Sequence, residues 1–302
     1  MINNFQRSNY FLMLATGAML IGFAPIFVKW SELSPSSIMF YRMVFTLPFL
    51  FILNFYLNKK ISFSLKNKKT IFYSAIASMA FTFDLVLWHY AMDITSVSNA
   101  TIIVNSAPIL IAILSYIFFK EKPSKGFASS FFITYIGIIG LIIFSNNYLN
   151  GKILGDILCL FAALGYAVYL LIISKLGKET ALNIIFYTTL FCSIFALIPM
   201  LLESGNKFPT TSFEWKNLFL LAFLCQFGGQ FLITYGIANI SASSGSIGLL
   251  MQPLTATILA SFIFSEILNT NQILFVLITL FGIYRARISL SINCHQLSIL
   301  FL

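Results

Sequence analysis

The chain has 302 residues, 59% hydrophobic and only 9% charged, with a formal net charge of +9 and a mean hydropathy of +0.92. A water-soluble domain carries about 25% charged residues, so a soluble fold of this length is excluded. The basic residues lie in short loops, as topology signals do, which argues against a nucleic-acid partner.

Ten apolar runs follow one another, at 10–28, 36–57, 70–92, 97–119, 127–145, 153–174, 183–202, 216–238, 243–265 and 271–290. Each is long enough to cross about 30 Å of hydrocarbon at about 1.5 Å per residue. The breaks between them, such as SELSPSS, KEKPSK, SNNYLNGK and ESGNKFPTTSFE, carry turn and charge signals. Short loops make neighbouring helices antiparallel. Arg7 precedes an apolar stretch that runs through Phe27, too long for a cleaved signal core. The expected fold is an all-α membrane protein in a lipid bilayer.

Lysine and arginine set the orientation. With the N-terminus inside, thirteen basic residues fall on the inner side, among them Lys59, Lys60, Lys120, Lys122, Lys125 and Arg285. Four fall outside, Lys29, Lys152, Lys207 and Lys216, and Arg42 lies within a span. This bias places both termini in the cytoplasm; the membrane is expected to be a bacterial cell (inner) membrane.

The chain also contains a copy of itself. Residues 94–139 laid over 239–284 without a gap give 12 identities, including Pro108/Pro253, Glu121/Glu266, Thr134/Thr279 and Gly137/Gly282. Aliphatic matches are cheap in such a sequence; proline, glutamate and glycine are not. Five spans per copy is an odd number, so the second copy inserts upside down. The positions of Lys120, Lys122 and Lys125 become Ser265, Ile267 and Thr270, so the packing residues persist and the positive charge is lost. The expectation is ten transmembrane helices in two inverted five-helix repeats, residues 1–148 and 149–291, with a short tail at 292–302.

Few residues can carry chemistry. Cys159, Cys192, Cys225 and Cys294 are widely spaced, and His89 and His295 cannot build a metal cluster. Protease, hydrolase and phosphate-loop motifs are missing, so neither an enzyme, a cofactor nor a metal is expected. An acid within a span costs roughly 2.5–3.5 kcal/mol on insertion scales and usually faces the bundle interior. Asp84 is such an acid. Its depth nearly matches that of Arg42, so the two either form a buried structural ion pair or leave Asp84 to hold an amine or a proton. Trp88 is one turn on, available for stacking or for packing. His89 pairs by spacing with Asp93. Pro108 and Pro253 occupy matching mid-span positions, and each deprives a carbonyl of its helical partner. Broken helices in corresponding places of two halves point to a binding site between them. Asn105 with Thr101, Gln252 with Ser246 and Gly248, Gln226 with Gln230, and Tyr166 with Tyr169 add polar groups from several spans. Glu121 and Glu266 read as interface residues.

These segments resemble the drug/metabolite transporter superfamily, EamA type. DLVLWHYAMDITSVSNATIIVNSAPILIAILSYIFFKEKPSKGFASSFFITYIGIIGLIIF is similar to that family's first repeat, and YGIANISASSGSIGLLMQPLTATILASFIFSEILNTNQILFVLITLFGI to its second. Asn239 and Ile240 depart from the second repeat's usual pattern. The resemblance implies ten helices, alternating access and transport of small metabolites such as amino acids or nucleotide-related compounds, with many members exporting. The expected function is a secondary transporter for a small-molecule substrate. Its cavity is expected to be lined by Asp84, Trp88, Asn105, Tyr166, Gln230 and Gln252, with Pro108 and Pro253 as kinks and Asp84 with Arg42 as a coupling or ion pair. The rival classes are a non-transporting membrane subunit and a membrane-embedded enzyme. Direction, coupling ion and homodimer formation stay open.

Overall fold

The computed structural model describes residues 4–59, 68–120, 126–144, 153–174, 176, 180–233, 249 and 251–292. Among them all regular structure is helical. In chain order the helices are α1 (Asn4–Gly22), α2 (Ala24–Trp30), α3 (Pro35–Asn58), α4 (Lys68–Ile94), α5 (Val97–Val104), α6 (Ala107–Phe119), α7 (Phe127–Phe144), α8 (Ile153–Ser174), α9 (Ala181–Leu202) and α10 (Ser212–Leu220). A π-helical segment, Leu221–Gly229, continues α10, and α11 (Met251–Ile263) and α12 (Thr270–Ile292) complete the bundle. Seven helices are long and apolar enough to cross a membrane, and three shorter apolar helices occupy the remaining expected spans.

Local sequence explains where helices start. Ser96, Thr180 and Thr211 cap α5, α9 and α10, each accepting the N–H three residues on, at 3.1 Å (Asn99), 3.4 Å (Asn183) and 3.1 Å (Glu214). Two expected single spans are broken pairs. The first bends at Phe23 into α1 and α2, and Pro25 sits in the first turn of α2. The fourth breaks at Asn105–Ser106 into α5 and α6. Pro108 therefore stands in the first turn of a new helix, where its missing N–H costs nothing, instead of in the middle of an old one.

Helix contacts follow the duplication. The third span (α4) packs on the sixth (α8) and seventh (α9), and the eighth (α10 with the π-helical segment) packs on the first (α1 and α2) and second (α3). The fourth (α5, α6) packs on the sixth, and the ninth (α11) packs on the first. Exchanging the two halves turns each contact into another. The axis of that exchange passes between α7 and α12. A Cβ on Gly137 would lie 2.3 Å from Thr279 Oγ1 and 2.7 Å from its backbone N; a Cβ on Gly282 would lie 2.3 and 2.7 Å from the same atoms of Thr134. Both pairs are repeat mates, so the helices cross where bare glycines let backbones meet.

The exterior is apolar and the interior is partly polar, the reverse of a soluble protein. Leu202 is 82% exposed and Phe262 84%, with Ile52, Phe118 and Ile198 alongside them on the lipid-facing surface. Ser74, Ser78 and Thr82 lie buried along one stripe of α4, and Asp84 is buried on another face of the same helix. Ser78 Oγ donates to the Ser74 carbonyl at 2.6 Å and reaches the Thr188 carbonyl at 3.1 Å.

The crossing makes a symmetric prediction. Gly137→Ala and Gly282→Ala each overpack the same contact from opposite sides, at about 1–3 kcal/mol. Thermal melting of the purified protein in detergent should fall by similar amounts for both. An unchanged melting temperature for either would rule out so close an approach.

Candidate functional site

Two charges lie deep in the bundle. Arg42, on α3, is 5% exposed, and Asp84, on α4, is 3% exposed. They do not form the direct ion pair that one reading of the sequence expected. Among the described residues, the cation–carboxylate contact within 4.0 Å is Lys29–Glu266 at 3.1 Å. Arg42 turns instead to the π-helical segment, where its Nε donates to Gln226 Oε1 at 2.9 Å. A hydrogen bond to a charged group contributes about 1.5–3 kcal/mol, enough to fix the guanidinium plane. Arg42 Nη1 is buried and has no hydrogen-bond partner. Thr46 Oγ1 donates to the Arg42 carbonyl at 2.7 Å, so the backbone below the guanidinium is held too.

The neighbourhood of Asp84 is shaped by a glycine. A Cβ on Gly165 would come within 2.9 Å of the Ala80 carbonyl and 3.2 Å of Asp84 Cβ, so α8 touches α4 at the acid itself. Next on α8, Tyr166 and Tyr169 stack with Phe81 of α4: Phe81 and Tyr169 have ring centroids 4.4 Å apart and 16° between planes, and the two tyrosines are 6.0 Å apart. Trp88 belongs to the packed core, with Tyr41, Met39 and Ala91 in the same cluster.

The other expected residues are more dispersed. Asn105 occupies the break between α5 and α6, and its Nδ2 donates to the Thr101 carbonyl at 2.8 Å. The Asn105 backbone N–H reaches the same carbonyl at 3.2 Å, so the side chain braces the end of α5 and keeps its oxygen for anything else. Gln226 belongs to the π-helical segment, whose widened turns recur at functional sites; the apolar pattern of the sequence gave no sign of it. Gln230 follows one turn later and is half-buried. On α11, Pro253 is buried. Gln252 meets Gly22 through its carbonyl, which a Cβ there would approach to 2.9 Å. Glu121, Asn239, Ile240, Ser246 and Gly248 lie outside the described residues.

His89 corrects a sequence expectation. It does not pair with Asp93; it is buried, and its Nδ1 meets the Pro35 carbonyl at 3.1 Å. The periodicity of α4 sends it inward while Asp93 stays exposed.

One end of the bundle is closed by acids of the second half gripping the first. Glu266 accepts the N–H of Val97 at 3.1 Å and of Ser98 at 3.4 Å, the first two residues of α5, and pairs with Lys29 of α2. A carboxylate at a helix N-terminus is favoured by the dipole and by the orphan donors there. Glu203 accepts the Ser36 N–H at 3.0 Å in the first turn of α3. Glu214 bonds Ser31 Oγ and, at 3.4 Å, the Glu32 N–H. Asp156, wholly buried at the start of α8, accepts from Thr95 Oγ1 at 2.5 Å and from Asn99 Nδ2 at 3.3 Å. Glu266 was expected as an interface residue, but its role as a cap on the opposite half follows only from the fold.

Comparison with known proteins agrees with this architecture. The EamA-like transporter family matches twice, over residues 8–143 and 153–286. An uncharacterized transporter of Archaeoglobus fulgidus is 25% identical over 288 residues, covering 92% of this chain and 97% of that protein. Solute carrier family 35 member G1 of Mus musculus is 30% identical over 168 residues, 51% of this chain and 44% of its own length. A crystal structure at 13% identity superposes with a TM-score of 0.67 over 94% of this chain and 99% of that one, which establishes a shared fold. With ten apolar helices in two inverted halves and a family match in each half, this chain belongs to the EamA-like transporter family.

Proposed function

We propose that the protein is a secondary transporter of the bacterial inner membrane that moves a small metabolite, of the amino-acid or nucleotide-related kind, by alternating access. Both termini face the cytoplasm, and the clasped end of the bundle faces outward. The observation that carries this reading is the pairing of inverted halves with a broken fourth span and with ionisable side chains buried inside the bundle. Irregular backbone and ionisable groups at membrane depth belong where protein or a wet path serves them. In this reading Asp84, Tyr166 and Gln230 line the substrate path together with Trp88, Asn105 and Gln252. The helix start at Pro108 and the proline of α11, Pro253, supply its bends. A non-transporting subunit would have no need of such a path, and the named relatives are transporters rather than enzymes.

The first test is flux. Purified protein in proteoliposomes, offered a panel of labelled amino acids and nucleosides, should exchange at least one of them across the membrane faster than empty liposomes do. Exchange of no member of the panel would count against the transport reading.

The second test concerns the clasp. Glu266→Gln removes the charge from its bonds to Val97 and Ser98 and from Lys29, a loss of about 1.5–3 kcal/mol in the closed state. A cysteine placed at Ala100, buried beneath the clasp, should then react about tenfold faster with a membrane-impermeant maleimide added outside. An unchanged rate would mean that this end does not open, or does not face out.

A further inference from the structure

The two halves share a packing contact but differ there by one residue. On α3, Thr46 Oγ1 lies 3.5 Å from the carbonyl of Ala222, in the π-helical segment. On α9, Cys192 Sγ lies 3.6 Å from the carbonyl of Ser78, in α4. The matched pairs Phe40-Tyr41 and Phe186-Tyr187 make Cys192 the mate of Thr46, so this is one contact in two copies. The next helix crossing lies at Gly229 in the second half and at its mate, Asp84, in the first. Ala222 and Gly229 are seven residues apart, whereas Ser78 and Asp84 are six. The eighth span therefore holds one residue more than the third between the same two landmarks. An i→i+5 turn takes in one more residue than the i→i+4 turn of an α-helix. The surplus is stored as the π-helical segment Leu221–Gly229.

What holds the surplus in place comes from the other half. Arg42 Nε donates to Gln226 Oε1 at 2.9 Å, and Thr46 stands one turn further along α3. At the end of the segment Gly229 meets α1 at Gly17 and Ile21. Both α1 and α3 belong to the first half, so rocking one half against the other strains this segment from two sides. The mate stretch, 76–84, is ordinary α-helix within α4 and packs on α9. The same packing site thus accepts either winding.

We infer that the π-helical segment is a register switch: Arg42 and Thr46 latch it while the outer end is clasped, and it rewinds to α-helix, passing its surplus residue along the span, when that end opens. This rests on the alternating-access reading above and assigns the motion to a segment. Rewinding breaks the bond between Arg42 and Gln226, so the strength of that bond sets how readily the outer end opens. Gln226 acts as a positioning residue of the latch.

The test uses the full chain in proteoliposomes, carrying Ala100→Cys, with the rate of labelling by external maleimide as the readout of opening. Deleting Phe223, which is 39% exposed, removes the surplus residue from the segment. Labelling should then rise about tenfold. Gln226→Glu turns the latch into a charge-assisted pair. Added to Glu266→Gln, it should slow labelling about tenfold. A folded deletion variant that labels at the parent rate overturns the switch. So does an unaltered rate in Gln226→Glu, which alone decides the matter if the deletion variant does not fold. If Glu266→Gln speeds labelling while these two changes do nothing, the switch fails and alternating access stands. If Glu266→Gln changes nothing either, both fail.

Discussion

In hydrocarbon every backbone N–H and C=O needs a partner inside the protein, and that requirement organises this fold. Straight helices meet it unaided. At several helix ends and breaks here a side chain adds a bond to the backbone. Asn105 Nδ2 serves the Thr101 carbonyl at the break between α5 and α6, at 2.8 Å. Asn217 Nδ2 serves the Phe27 carbonyl near the end of α2, also at 2.8 Å. Glu266 serves the first N–H groups of α5. The last two come from the opposite half, so the irregular places are also where the halves are tied together. A break that faced lipid would have no such help.

Small residues set how closely the helices approach, and so where polar side chains meet. Gly137 and Gly282 bring α7 and α12 into backbone contact, and Gly165 does the same for α8 against α4. A larger residue at any of these points would push the helices apart and open the buried groups to a different set of neighbours. Arg42 reaches Gln226 because α3 packs on the π-helical segment, whose wider turn shifts the register of its side chains.

The spans, the duplication and the broken fourth helix were legible in the sequence because they depend on local signals: apolar length, loop charge, a proline, a repeated glycine. Asp84 was legible as an intramembrane acid for the same reason. What it faces was not. Arg42 and Gln226 are 184 positions apart, and no periodicity or spacing announces a bond over that interval. His89 was assigned to Asp93 from spacing alone, whereas the packing of α4 against the start of α3 gives it the Pro35 carbonyl. The clasp of Glu203, Glu214, Glu266 and Asp156 was hidden likewise, since each acid finds its partner in the other half. The π-helical segment left no mark, because widening a turn changes hydrogen bonding without changing composition.

The two halves share a scaffold but not a chemistry. The offset of 145 residues that pairs Pro108 with Pro253 also pairs Asp84 with Gly229. Both positions are helix crossings. At the first, Gly165 of α8 meets the backbone of α4 beside Asp84; at the second, Gly229 meets α1 at Gly17 and Ile21, where a Cβ would come within 2.5 Å of Ile21 Cγ1. Glycine thus lies on the sixth-span side of the first crossing and on both sides of the second, at Gly17 and Gly229. Where Gly165 supplies the bare surface, position 84 is free to carry a side chain, and it carries a carboxylate. Where position 229 is itself the glycine, no side chain is present and the helices close up. Phe40-Tyr41-Arg42 corresponds to Phe186-Tyr187-Thr188, so the second half has no charge there either. Symmetry accounts for the bundle and its crossings. The charged pair breaks that symmetry, and it does so at a place where the packing rules alone would have accepted a smaller, uncharged residue.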